Sequence, residues 1–451
     1  MEQTTKRSSF SGKLGFVLAA AGSAVGLGNI WRFPYLAAKY GGGIFLLVYL
    51  ILAVTFGFAL MVAEIAIGRK TRQSAIHAYG VLDKRFRFLG PLASLVPIII
   101  TPYYCVIGGW VIKYLSVYAT GGGHTLAGDN YFTEFISSVS PMVWFIVFVA
   151  ITVIIVMTGV EKGVEKVSKV MMPLLVLLSL GIAIYCLTLP GAMEGVVYYL
   201  KPDFSKFSAT TILAAMGQLF YSMSLAMGIM ITYGSYMKKD SHLTASVHQI
   251  EIFDTGIAFL AGLMVIPAVF SFSGGANVNA GPGLMFMTLP KVFGSIAVTN
   301  TIGTLFFLLV LFAALTSAIS LTETVVSILC DKTGMKRTTS CIVTAVIIIG
   351  LGSLSALGYG ALAQVQIIGM AFLDFFDFVS NSILMPVVAF LTCILVGYVV
   401  KPPAIIEEAE AEGATFKGRG LFVFVIKYLA PICIVAILIS SVLSAFGIIS
   451  I

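Results

Sequence analysis

Charge is scarce in this sequence. Asp, Glu, Lys and Arg make up 10% of its 451 residues, against roughly 25% in a soluble domain. That scarcity excludes a fold solvated by water on all sides. The modest net charge of +7 marks no nucleic-acid partner. Histidine is rarer still. His77, His124, His242 and His248 all lie near the ends of apolar runs or in loops. With no HExxH pattern and no Ser–His pairing, metal-dependent and nucleophilic hydrolysis lack their parts, so the chain is not read as an enzyme. Cys105, Cys186, Cys330, Cys341, Cys393 and Cys433 fall in or beside apolar runs without CxxC spacing. That pattern fits packing rather than disulfides or metal. Period-two alternation is missing too, which excludes a membrane β-barrel.

What is present is apolar length. Hydrophobic residues are 59% of the chain and the mean hydropathy is +1.03. Apolar stretches long enough to cross a bilayer, about 20 residues each, lie at 13–37, 42–68, 89–117, 141–159, 166–189, 208–236, 245–272, 295–330, 339–357, 372–400 and 421–449. The expected fold class is therefore an all-α polytopic membrane protein with about 11 transmembrane helices. The basic start "KRSSFSGK" leads straight into the first span without a small-residue cleavage pattern, so no cleaved leader is expected. With the N-terminus placed in the cytoplasm, 20 of the 27 Lys and Arg fall on the inner side. That bias predicts a multi-pass protein of the plasma (inner) membrane, N-terminus in and C-terminus out. The partners are then the lipid bilayer and a small molecule. Nothing in the pattern specifies an oligomeric state.

Two spans are interrupted. Span 1 carries "GSAVGLGN" (22–29) and span 6 carries "GQLFYSMSLAMG" (217–228). They stand five spans apart, and a repeat of five crossings places its second copy upside down. Paired broken helices in corresponding halves point to the midplane site of a secondary transporter. Unwound backbone survives in lipid only where protein or a cavity covers it. Its carbonyls then suit a hard cation, and the half-helix N-termini suit a carboxylate. Asn29, Ser222 and Ser224 add side-chain oxygens, and Thr316 and Ser317 place adjacent hydroxyls in span 8. Small residues for close helix packing, and hydroxyls bonded back to their own helix, are the structural alternatives. Intramembrane charges are costly and mark function or ion pairs. Here they are Arg32, Glu64, Asp254, Glu323, Asp374 and Asp377.

The motifs "GSAVGLGNIWRFP", "PYYCVIGGW", "GQLFYSMSLAMG", "ITYGSY", "FAALTSAIS" and "FLDFFDF" occur in this order along nearly the whole chain. The set resembles the neurotransmitter:sodium symporter family, in its bacterial amino-acid transporter branch with eleven spans. The resemblance implies a LeuT-type five-plus-five inverted repeat in a single transporter domain. Residues 1–190 would form the first repeat, 207–400 the second, and 421–449 an additional helix. It implies alternating access and two Na⁺ ions. The first sodium site would use Ala24, Asn29, Ser222 and Asp254 with the substrate's carboxylate. The second would use Gly22, Val25 and Ala313 with Thr316 and Ser317. Substrate would touch Ala24, Gly26, Leu27, Gly28, Ile100, Tyr104, Ile107, Tyr221, Ser222, Ser224, Met227, Ser317 and Leu321. The family's monoamine branch has an aspartate at the position of Gly26. Without one, the substrate is expected to bring its own carboxylate: a neutral hydrophobic or aromatic L-amino acid. Asp254 would supply the charge that chloride supplies elsewhere, so no chloride is expected and proton antiport is an option.

The outer gate would pair Arg32 with Asp377, lidded by Tyr104 and Tyr221. The inner gate would pair Arg7 with Asp331, supported by Phe10, Ser235 and Tyr236. Phe10 replaces the family's usual tryptophan, which predicts a smaller plug. Ala226 stands where glycine is usual, and its methyl is expected to shrink the pocket or stiffen the bend. Gly163 and Pro173 suggest that span 5 unwinds at its inner end. The competing functions are an ion channel, an amine transporter of the same fold, and an amino-acid sensor without transport. Saturable sodium-dependent flux separates the leading expectation from the first and last of these.

Overall fold

The computed structural model describes residues 8–274 and 283–445. Each expected apolar run becomes helix. Among the described residues, nine helices are long and apolar enough to span a bilayer: Gly43–Thr71, Lys84–Ala119, Ser140–Met157, Val160–Leu187, Leu243–Ser273, Thr299–Thr333, Arg337–Leu357, Phe372–Val399 and Arg419–Ala445. The remaining two spans are broken. Span 1 consists of Lys13–Ala24 and Gly28–Lys39, bent by 53°. Span 6 consists of Ala209–Ser222 and Ile229–Tyr236. In chain order these are spans 1 to 11, matching the number and placement expected from hydropathy. The breaks occupy the first and sixth spans, at the same place in each set of five.

Span 8 (Thr299–Thr333) has 35 residues. At 1.5 Å per residue it is about 52 Å long, longer than a hydrocarbon core of about 30 Å, so it must tilt or protrude. It forms the central pillar behind span 1. Span 2 (Gly43–Thr71) and the second half of span 6 approach to backbone contact. A methyl on Gly68 would strike the Ile231 carbonyl, and one on Gly234 the Ile65 carbonyl. Small residues let helices in lipid touch this closely, where the hydrophobic effect offers little drive. Large apolar side chains such as Val143, Leu177, Val346 and Ile432 are exposed on the outer faces of the bundle, as a lipid-solvated surface requires.

The loop between spans 10 and 11 is ordered against this bundle. Its helix Pro402–Ala409 is tied to span 2 by Arg69, which is 1% exposed. Arg69 donates to the Glu408 carboxylate at 2.7 Å, to the Glu408 carbonyl and to the Ser241 carbonyl at 2.8 Å. A buried guanidinium is tolerable only with such full pairing. Outside the spans, the Glu410 carboxyl is held below the usual carboxylate range, first by the Phe416 amide and then by Arg419. In span 5, Pro173 lies inside the helix Lys166–Leu187, preceded by a wider π turn at Val160–Glu165.

Candidate functional site

The first break begins where Val25 leaves the helical region (φ −72°, ψ 98°) after its amide bonds the Ala21 carbonyl. Asn29 then holds the turn, its Oδ1 accepting from the Gly26 amide at 3.0 Å. Carbonyls freed by the break converge on span 8. The Ser317 hydroxyl lies 3.0 Å from the Ser23 carbonyl and 3.4 Å from those of Gly22 and Val25. The neighbouring Thr316 hydroxyl lies 3.1 Å from the Ala313 carbonyl. Gly22, Val25, Ala313, Thr316 and Ser317, which the resemblance named together, are thus brought together. They offer oxygen alone, the donor set of a hard cation. Ser23 was missed. Its carbonyl is the closest of the three to Ser317.

A second cluster sits beside it. Asn29 Nδ2 donates to the Ser222 hydroxyl at 2.9 Å and to Asp254 Oδ1 at 2.7 Å. Ser222 donates to the same carboxylate oxygen at 2.7 Å. Tyr49, unmentioned in the sequence reading, donates to the other at 3.2 Å. Asn29, Tyr49 and Asp254 are fully buried. A carboxylate with neutral partners alone remains expensive in such a place, and a monovalent cation of matching charge would complete it. Gln218, like Ser23 and Tyr49, was not foreseen from the sequence. It donates to the Gly28 carbonyl at 2.9 Å.

The second break is held by strained backbone. Ser224 and Ala226 adopt φ of 53° and 58°, and Gly228 follows at 71°. Left-handed backbone costs a non-glycine residue about 1–2 kcal/mol. Glu64 from span 2 anchors the strained turn by accepting from the Ala226 amide at 2.7 Å. The Ala226 methyl is not on the wall of the cavity between the breaks, so its effect falls on the backbone rather than on pocket size.

That cavity has a volume of about 20 Å³, room for about one water. Its wall includes Ala24, Gly26, Leu27, Gly28, Asn29, Ile100, Tyr104, Tyr221, Ser222, Ser224, Met227, Ser317 and Leu321, together with Ser23 and Ile229. Ile107 is buried but does not line it. The Tyr104 hydroxyl accepts from the Leu27 amide at 3.3 Å. A side chain at either Gly26 or Gly28 would crowd this wall. A Cβ on Gly26 would lie 2.7 Å from the Ser317 hydroxyl and 3.1 Å from that of Tyr104, and a Cβ on Gly28 would lie 2.5 Å from the Tyr221 ring.

Tyr221 lines this cavity, and a separate vestibule of about 760 Å³ is lined by Arg32, Asp374 and Asp377 among others. Arg32 and Asp377 face the same space but form no direct ion pair in this structure. The Arg32 guanidinium stacks over Tyr221 at 5.4 Å. Asp377 is held by Tyr103 at 3.1 Å and Asn381 at 2.5 Å. At the opposite end Phe10 is 1% exposed. It packs edge-on against Phe16, Tyr233 and Tyr236, and its amide bonds the Tyr236 carbonyl at 3.2 Å. Tyr236 donates to Glu323 at 2.8 Å, and Glu323 pairs with Arg337. Asp331 accepts from the Ser74 amide at 2.8 Å. Ser235 presents its carbonyl to Arg72 at 3.3 Å. Arg7 lies outside the described residues.

Comparison with known proteins identifies the family and the fold. The model of the Sodium:neurotransmitter symporter family matches residues 7–122 and 130–447. A sodium-dependent transporter of Bacillus subtilis (strain 168), YhdH, is 36% identical over 441 residues, covering 95% of this chain and 96% of its own. A sodium-dependent transporter of Haemophilus influenzae is 35% identical over 453 residues, covering 97% and 98%. The crystal structure of MhsT in complex with L-phenylalanine superposes with a TM-score of 0.87 at 37% identity, covering 96% of this chain and all of that one.

Proposed function

The chain belongs to the sodium:neurotransmitter symporter family, and from that premise we propose that it imports neutral hydrophobic or aromatic L-amino acids with two sodium ions, independently of chloride. The single observation that carries the reading is the meeting of two broken helices at a closed cavity bordered by two oxygen clusters. Substrate carboxylate would sit near the Tyr104 hydroxyl and the amides of the first break, and would share the first sodium with Ala24, Asn29, Ser222 and Asp254. The second sodium would sit among Gly22, Val25, Ala313, Thr316 and Ser317. The side chain would lie toward Ile100, Met227 and Leu321. The cavity wall carries no carboxylate to meet an amine, which favours an amino acid over an amine. A phenylalanine-sized substrate needs more than 20 Å³, so binding must displace Tyr221 or the flexible Met227.

Two repeats, 1–190 and 207–400, with 421–449 as an additional helix, would rock about this site. With the N-terminus in the cytoplasm and the C-terminus outside, Phe10 and Tyr236 plug the inner route while the Arg32–Asp377 vestibule admits substrate from outside. The Asp254 carboxylate replaces chloride as the counter-charge for the first sodium. The test is uptake of L-phenylalanine into proteoliposomes under an inward Na⁺ gradient, with choline and gluconate replacements. Uptake that needs Na⁺ and survives gluconate is expected. Uptake that survives choline, or is abolished by gluconate, would overturn the coupling.

A further inference from the structure

Glu251 lies one turn before Asp254 on span 7 and has no part in the sites described above. It is 4% exposed, and its Oε1 has no hydrogen-bond partner among the described residues. Its Oε2 is 3.5 Å from Nδ1 of His248. His248 stacks on Phe58 of span 2 at 4.3 Å and is 59% exposed. It lines a cleft of about 300 Å³ between span 2, span 7 and the start of span 11. At about 30 Å³ per molecule this volume holds roughly ten waters. The rim is Thr415, Lys417 and Gly418 of the hydrophilic loop. A half-exposed imidazole thus stands between a solvent-sized cleft and a buried, incompletely satisfied carboxylate.

We propose that His248 and Glu251 form a proton-binding site, filled through this cleft, whose occupancy opposes sodium binding at the neighbouring Asp254 cluster. The proton arrives on the imidazole from water. It passes to Glu251 as the Nδ1–H bond breaks and the Oε2–H bond forms. Imidazolium with carboxylate and imidazole with carboxylic acid carry the same net charge, so the step moves a proton inward without burying extra charge. Asp254 is the other charged group facing Glu251, and Lys417 faces the His248 cleft. Span 2 and span 11 present only apolar and hydroxyl side chains there, among them Val54, Thr55 and Leu421. Residues three apart on a helix have Cβ atoms about 5–6 Å apart, so the two carboxyl groups act on each other. A charged Glu251 therefore draws sodium toward Asp254, and a protonated one does not. The effect on sodium affinity is on the order of tenfold.

This inference rests on Asp254 being a sodium ligand. The experiment is the sodium-dependent rise in apparent Tm of the purified full chain, with choline as control, from pH 5.5 to 8.5. A ligand that binds the folded state raises its stability. In the wild type the half-saturating sodium concentration should fall about tenfold as pH rises. In Glu251→Gln it should stay near the wild-type acidic value at every pH. In His248→Gln, a half-exposed and tolerant position, the midpoint of the pH profile should move while the two plateaus stay. No sodium-dependent rise in the wild type would count against the symporter reading itself. A sodium response whose pH profile is unchanged in both variants would overturn the proton site alone.

Discussion

Gly26→Ala is the sharpest single test of the site. The added Cβ would lie 2.7 Å from the Ser317 hydroxyl and 3.1 Å from the Tyr104 hydroxyl, inside the 3.4–4 Å of ordinary van der Waals contact. Neither hydroxyl can retreat freely. Ser317 is bonded to the Ser23 carbonyl at 3.0 Å and Tyr104 to the Leu27 amide at 3.3 Å. Relief requires both bonds to give way, at about 1 kcal/mol net each. The sum of about 2 kcal/mol corresponds to roughly 30-fold in apparent affinity. It should fall on sodium through Ser317 and on substrate through Tyr104. The assay is L-phenylalanine uptake into proteoliposomes titrated with Na⁺, with Gly181→Ala as control because nothing lies within 4 Å of a Cβ there. Gly26→Ala with wild-type half-saturation for both Na⁺ and substrate would refute the geometry that joins the two breaks to span 8.

Asp254→Asn removes the only charge in its cluster, so half-saturating Na⁺ should rise at least tenfold, about 1.4 kcal/mol, and chloride should partly restore uptake; flux measurements in chloride and gluconate check this. Ala226→Gly relieves left-handed strain of about 1–2 kcal/mol while adding unfolded-chain entropy of about 0.5–1 kcal/mol, so apparent Tm should rise modestly, and a fall would contradict the strain. Glu408→Gln leaves the buried Arg69 charge without its carboxylate, at a cost of about 3 kcal/mol; a lower apparent Tm and faster proteolysis of the 400–418 loop are expected.

Much of the architecture was legible because lipid imposes one rule on every span. A chain that cannot bond its backbone to water must close its own helical bonds over about 20 apolar residues. Hydropathy therefore located all eleven spans, and polar interruptions located both breaks. The polar residues at the breaks and behind them were legible for the same reason, since Asn29 in the first break or Thr316 in span 8 needs a purpose in such surroundings. Tyr49 and Gln218 were not legible. A tyrosine in an apolar span and a glutamine beside a break are ordinary there, and only the approach of spans 1, 2, 6 and 7 turned their polar ends toward Asp254 and Gly28. Ile107 was expected on the cavity wall, and it is buried without lining the cavity. Ala226 was expected to shrink the pocket or stiffen the bend; it lies off the cavity wall, and its left-handed backbone places its effect at the bend.

By itself, then, the sequence determined that this is an all-α polytopic membrane protein whose apolar runs are interrupted at two places that carry oxygen donors. Composition and periodicity are local properties, and lipid reads them locally. The tertiary structure decided which oxygens share a cluster, that the cavity holds about one water, that Phe10 is sealed while Arg32 and Asp377 stand apart, and that Glu251 meets His248 beside a cleft. Apart from His248 and Glu251, which are neighbours on one helix, those are relations between residues far apart in the chain. They depend on how helices cross and how side chains close-pack, which no single span specifies.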